Sequence, residues 1–358
     1  SGATRVDKGT AYAYKARTAL YQHDYGTAAK AAQDCMDLEV YDLAPDYGEL
    51  FRDKTRGSKE VIFSVAHSSD LELDENGKPT TQAIGSFIAR SAGGTHNAQP
   101  SWELLAVYEM TNGKTIDEPG SGFDPHDPFA NRDPRCLETF AAPGSRIYGI
   151  EWNPAPNALE VMDYTQNRMI TNKDSKGGSD ASNCAYNGCC LRKGAQESWR
   201  TTLYNDNPVI LMRYADVLLM YAEACLEKGN IVGARKYLNQ VRKRARESSP
   251  LDAKRVIQKY VPDTKPTSLP DITSDNVAEV RLAIWNERRF EFACEGIRRM
   301  DLMQQERYGE IMTAVYSNGY ATEDVDKGRY YTKERELFPI PQNDIDLSRG
   351  ALVQNPGY

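Results

Sequence analysis

Small and apolar residues recur at helical spacing through residues 8–39: Ala13, Ala16 and Leu20, then Tyr25, Ala28, Ala32 and Cys35. One narrow apolar face, repeated after a break at His23-Asp24, predicts a helical hairpin with Asp24 as the second N-cap. Residues 208–247 repeat the design, with Pro208 at the helix start and Gly229-Asn230 at the break. Aligning Asp24 with Asn230 places Ala16 on Ala222, Leu20 on Leu226, Tyr25 on Ile231 and Ala28 on Ala234. Small residues at matching inward places let helices approach closely, as in tetratricopeptide units. The usual Trp and Gly positions of that repeat are not met, so two plain antiparallel hairpins stay as the alternative. A third helix is predicted from Ser274 to about Gln305, capped by Ser274 or Asp275.

The pattern changes between these blocks. Glu60–Ala66 is a short apolar run, expected to be a buried strand. Residues 67–101 are rich in Ser, Gly, Thr and Asn, and residues 112–208 in Pro, Gly, Asn and Asp. Loops of that length are usually functional or disordered. The tail, with Leu337-Phe338-Pro339-Ile340-Pro341 and then Asn355-Pro356-Gly357-Tyr358, is expected to run extended. The expected fold is mainly α: an α-α superhelix of tetratricopeptide-like hairpins with long irregular loops and a few short strands. The expected organisation is one unit over 1–358. Its helical scaffold covers 8–50 and 208–305, its loop-rich ligand region 60–207 and its extended C-terminal segment 306–358.

Composition narrows the function. Of 358 residues, 44 are Lys or Arg and 51 Asp or Glu, giving a net charge of −7. An acidic chain is a poor nucleic-acid binder, because affinity there comes from neutralising phosphates. No run of about 20 apolar residues is present for a membrane helix, and no leader of basic then apolar residues opens the chain. The seven cysteines are too sparse for a disulfide scaffold. Cys184, Cys189 and Cys190 share one loop, where a local disulfide or free thiols are both open. The four histidines are scattered, so no zinc site is expected. Asp124-Pro125-His126-Asp127 offers oxygen ligands, but too few for calcium. No cofactor motif is found.

Glu287, Glu291 and Glu295 share one helix face at i, i+4, i+8. A glycosidase needs paired carboxylates, yet Arg288, Arg289, Arg298 and Arg299 flank them, which favours ion pairs. The basic stretch Arg235–Arg246 is expected to be a solvated helix face. Trp102, Tyr148, Trp152, Tyr164, Tyr186 and Trp199 lie in polar, Gly-rich surroundings. Such rings join a flat apolar face to a polar edge, which suits the C–H faces and hydroxyls of sugars. Anchoring of long loops is the alternative role for each ring.

These segments resemble the SusD/RagB family of outer-membrane nutrient-binding lipoproteins. The resemblance covers essentially the whole chain and rests on five segments in the family's order. The first is Lys8-Gly9-Thr10-Ala11-Tyr12-Ala13 with Asp24-Tyr25-x-x-Ala28, Tyr41-x-Leu43 and Ser58-Lys59-Glu60-Val61-Ile62-Phe63. The second is Pro100-Ser101-Trp102-Glu103-Leu104-Leu105 through Gly113, then Asn131-Arg132-Asp133-Pro134-Arg135. The third is Arg213-Tyr214-Ala215-Asp216 through Ala224, with Leu238-Asn239-x-Val241-Arg242. The fourth is Glu287-Arg288-Arg289-Phe290-Glu291-Phe292-x-x-Glu295-Gly296 with Asp301-Leu302, and the fifth is the tail. Ile297 stands where the family often has His, and Cys294 where Phe is frequent.

The resemblance implies a non-catalytic protein. It implies glycan binding at the cell surface and delivery to a SusC-like TonB-dependent transporter. It also implies an N-terminal portion ahead of the first hairpin, bearing the lipid anchor to the outer membrane. It supplies no fixed motif for sugar contacts, so the expected site rests on chemistry: Trp102, Trp152 and Tyr148 as stacking faces, with His96, Asn97 and Arg146 as hydrogen-bonding groups. The Asn131–Arg135 and Glu287–Arg289 segments are assigned to stability through Arg–carboxylate pairing. A peptide-binding tetratricopeptide adaptor and a glycosidase using Glu287, Glu291 or Glu295 are the competing functions.

Overall fold

A computed structural model describes residues 5–52, 55–68, 82–178, 187–202, 204–248, 260, 268–317 and 331–358. Helices α1 (Lys8–Tyr21) and α2 (Tyr25–Met36) form the first expected hairpin. Asp7 caps α1 by accepting Thr10 N–H at 2.7 Å, and Asp24 caps α2 through Thr27. Ala13, Ala16, Ala28 and Ala32 are buried between the helices, so the axes come close. Leucine in place of Ala16 should overpack this seam and cost about 1–3 kcal/mol, read as a lowered Tm.

The next elements are α3 (Tyr47–Phe51), β1 (Val61–Val65), β2 (Gln82–Ala83), α4 (Trp102–Val107) and α5 (Pro134–Thr139). A four-stranded antiparallel meander follows in chain order: β3 (Arg146–Ile147), β4 (Ile150–Glu151), β5 (Glu160–Asp163) and β6 (Arg168–Thr171). Then come α6 (Trp199–Thr202), β7 (Tyr204–Asn205) and β8 (Val209–Arg213). Pro208 therefore opens a strand, not the helix expected there. The Val-Ile-Leu run suits an extended chain, and β8 pairs antiparallel with β1, Val65 opposite Val209.

Helix α7 (Tyr214–Glu227) starts directly from β8, and α8 (Ile231–Glu247) returns along it with Asn230 as N-cap. α7 is buried along nearly its whole length, packed by α1, α2, α8 and α9 (Val277–Glu291). Asn276, one residue beyond the expected caps, caps α9. The helix expected to reach Gln305 stops at Glu291 because Cys294 and Gly296 turn to positive φ, 62° and 82°.

The chain forms two compact units, Ser1–Gly296 and Ile297–Tyr358. The second holds α10 (Arg298–Gln304), α11 (Tyr308–Ser317) and α12 (Gln342–Leu347). Its tail is thus partly helical. Pro341 stands at the N-cap of α12, where its missing N–H costs no helical bond. Arg299 lies over the Phe338 ring, and Tyr358 donates to Leu337 O at 3.0 Å.

A buried ionic network binds the loop region to the helices. Arg135 pairs with Asp133 (2.7 Å), Glu287 (2.7 Å) and Glu291 (2.9 Å). Arg213 pairs with Glu60, Glu291 and Glu295 at 2.6–2.8 Å. Arg244 joins Glu60 and Glu291, Arg242 joins Glu287 and Glu109, and Arg288 joins Asp216. The solvated face expected over Arg235–Arg246 is corrected here. Arg242 and Arg244 are buried, because burial of these cations is matched by carboxylates from three other segments. Arg132 differs from its assigned role too: it donates to the carbonyls of Pro128, Leu105 and Tyr108.

Candidate functional site

The expected site residues divide by burial. Trp152 is 0% exposed and Tyr148 is buried beside it, both in one core cluster with Ile88 and Ile150. His96 is buried as well, its ring edge-on to Trp152 with centroids 5.1 Å apart. These three do not offer open faces or surface hydrogen bonds in this structure. Tyr148 sits in the β3–β4 turn, Trp152 directly after β4 and His96 in the loop ahead of α4, and packing around the Ile88–Ile150 cluster buries all three, against the surface role expected of them. Burial lowers the His96 pKa, with Asp174, 3.6 Å away, opposing that effect.

The other three residues reach the surface. Asn97 is exposed. Trp102 is half-buried at the start of α4 and donates its indole N–H to Asn187 O at 2.5 Å. Arg146 is half-buried on β3 and makes a fork to Glu197, at 2.5 and 2.7 Å. Trp102 packs against the Leu105–Phe140 cluster, while Arg146 stands on the meander next to the Trp152 cluster. No described contact joins Trp102 with Arg146.

Arg146 brings in a residue outside the expected set. Its guanidinium lies over the Tyr164 ring, 5.1 Å from the centroid, and Tyr164 is 41% exposed. The local sequence explains this placement. Tyr148 (φ 51°) and Gly149 (φ 73°) both turn left-handed, making the two-residue connection of a tight β3–β4 hairpin. A Cβ on Gly149 would collide with Thr165, so only glycine lets the Tyr164 turn come this close. Tyr164 N–H donates to Gly149 O at 2.9 Å. Asp163 then fixes the turn by accepting from Thr165 N–H, Thr165 O–H and Gln166 N–H. Arg200 grips the same carboxylate at 2.9 and 2.8 Å. That bond, more than anything else, holds the Asp163 pKa well below the usual carboxylate range. The outcome is a partly exposed aromatic ring under Arg146, which Glu197 pairs, on a turn that Arg200 holds through Asp163. Tyr164 was legible only as one ring among several in polar surroundings; nothing local separated it from Trp152.

The competing chemistry at Glu287, Glu291 and Glu295 finds no support in this geometry. Glu291 is enclosed by three guanidinium groups, and Glu295 by Arg213 and Lys193. Burial would raise both carboxyls, but Arg244 and Arg213 respectively, with their neighbours, pull them below normal. A general acid needs the opposite shift. Among the described residues no cluster could hold a metal ion, Asp124–Asp127 included. The six described cysteines are free; Cys184 and Tyr186 lie outside the described residues.

Comparison with known proteins accords with the geometry. The sequence model of the SusD family matches residues 59–358. SusD-like protein P25 of Formosa agariphila is 24% identical over 99% of this chain and 60% of its own length. A SusD-like carbohydrate binding protein from Bacteroides fragilis has a TM-score of 0.70 at 25% identity, over 96% of this chain and 64% of the other. Surface glycan-binding protein A from Bacteroides thetaiotaomicron, in complex with laminarihexaose, shares the fold with a TM-score of 0.55 at 22% identity, over 98% and 64%. The chain thus spans less than two thirds of each of these relatives. With its paired helical hairpins, its β1–β8 ribbon and its match over residues 59–358, the chain belongs to the SusD family.

Proposed function

We propose that this chain binds glycans without catalysis, at the cell surface, and passes them to a SusC-like TonB-dependent transporter. The observation that carries the reading is the preorganised face of Tyr164, Arg146, Glu197 and Arg200 in a SusD-family chain. The ring gives a sugar an apolar face, and the fixed ions give its hydroxyls donors and acceptors. Among relatives, one solved structure is described as carbohydrate binding and another holds laminarihexaose. Asn97, exposed, and Trp102, half-buried, remain separate candidate contacts, with no described contact linking Trp102 to the Arg146 side of the chain. In this reading a lipid anchor holds the protein at the outer membrane. No helix among the described residues is long and apolar enough to cross a membrane.

Affinity electrophoresis through gels holding plant, microbial and host glycans tests this. Retardation by at least one glycan is expected. Tyr164→Ala should weaken it about tenfold or more, the loss of one central aromatic contact. Arg146→Ala should weaken it as well, with Tm nearly unchanged, since the Arg146–Glu197 pair is partly exposed. Retardation unaffected by both substitutions would move the site elsewhere. A protein retarded by no glycan would favour the peptide-adaptor reading.

A further inference from the structure

A cavity of about 170 Å³ opens beside Trp199, at the start of α6. Phe51, Lys193, Trp199, Asn207, Val209 and Glu295 line it. We propose that this cavity takes a single neutral sugar ring, as a second site that rests on the glycan-binding reading. Size is the first argument. The volume is below the roughly 300–1,000 Å³ of sites for drug-sized ligands, so it suits one small ring and not an oligomer.

Charge is the second argument. The Lys193 ammonium has three donors. They go to Glu291 O (3.3 Å), Ala293 O (2.9 Å) and Glu295 Oε1 (2.6 Å), so the cation is neutralised and no donor is left to draw an anion. Arg213 reaches Glu295 at both oxygens, 2.9 and 2.8 Å. A carboxylate offers about four lone-pair sites, so Glu295 retains acceptor capacity. Asn207 spends its amide N–H groups on Phe51 O and Arg52 O, at 3.3 and 3.2 Å, which turns its carbonyl oxygen to acceptor duty. The polar lining therefore favours a ligand rich in hydroxyl donors and without charge.

Shape is the third. Trp199 supplies an aromatic wall, and Gly194 lines the cavity beside it. A Cβ there would stand 3.2 Å from Phe51 O and 3.9 Å from the tip of the indole, and the φ of +78° also requires glycine.

Cys294 lines the same cavity and is the exposed cysteine among those described, which makes it a reporter. Alkylation of Cys294 by iodoacetamide would be followed by peptide mass spectrometry, with glucose, galactose, mannose or xylose at roughly 100 mM, well above the millimolar Kd expected of so small a ligand. At least one sugar should slow the reaction about fivefold or more, and sodium sulfate at equal osmolality should not. Val209→Phe, which fills the cavity, should abolish protection, and Val209→Leu should reduce it if the larger ring disturbs folding. Protection by none of the four sugars, protection by sulfate, or protection surviving both substitutions would overturn the inference. Glycan retardation with no protection of Cys294 would overturn the cavity alone and leave the main reading standing.

Discussion

Glu291→Gln should bring the first unit close to unfolding, with a loss of about 3–5 kcal/mol in urea titration. Glu291 is fully buried. One of its oxygens accepts from Arg213 at 2.6 Å and from Arg244, and the other from Arg135 at 2.9 Å. Glutamine keeps the volume but removes the charge, and points an amide donor at guanidinium groups that are themselves donors. Removing one partner from a buried pair leaves the others uncompensated. A typical domain holds about 5–15 kcal/mol in all. The pH dependence carries the same signature. The Glu291 pKa is depressed in the fold, so its contribution is present above the ordinary 4.5 and is lost as pH falls below it. Asp216, held at about 2 against burial by Arg17 and Arg288, acts in the same sense. Glu109, raised to about 7 by burial against the pull of Arg242, acts in the opposite sense between 4.5 and 7. The Gln variant should therefore show a shallower acid limb than the parent. An equal acid limb with an unchanged urea midpoint would mean that the network contributes little.

Trp152→Ala should cost about 3–5 kcal/mol, while Trp152→Phe should cost far less. The indole is wholly enclosed by Ile88, Ile150, Tyr148 and the edge of His96. Truncation leaves a cavity that the short strands around it can close only in part. Among the described residues its indole N–H has no hydrogen-bond partner, so replacement by Phe forfeits packing volume and none of the described polar contacts. The glycan assay gives the second readout. A stacking platform would lose retardation with Tm intact; a core residue loses Tm first. If Trp152→Ala lost binding at unchanged Tm, the surface role would be restored to Trp152.

The helical frame was readable because its signal is local. Ala13, Ala16, Ala28 and Ala32 repeat at the helical period, and Asp24 and Asn230 are caps at the breaks. The site was less readable because a ring among Gly, Asn and Pro looks alike whether it faces in or out. Trp152 and Tyr164 occur in similar company, yet packing on Ile88 and Ile150 takes one inward and a turn fixed by Asp163 holds the other outward. The meander itself was missed. Its strands run only two to four residues, too short for alternation to be recognised. The third helix was drawn too long because a positive φ at Cys294 carries no residue signature of its own.

The β1–β8 ribbon has a consequence for how relatives can diversify. The chain leaves the helical frame at Val65 and re-enters beside it at Val209. Everything between is an excursion whose two ends are already held together by backbone pairing. For such a closed excursion, each doubling of length costs only about 0.6 kcal/mol more. Insertions that leave Arg135 in its carboxylate cage can then enlarge or reshape the exposed face without loosening the helices. The exposed face can change in this way while the helical frame stays the same.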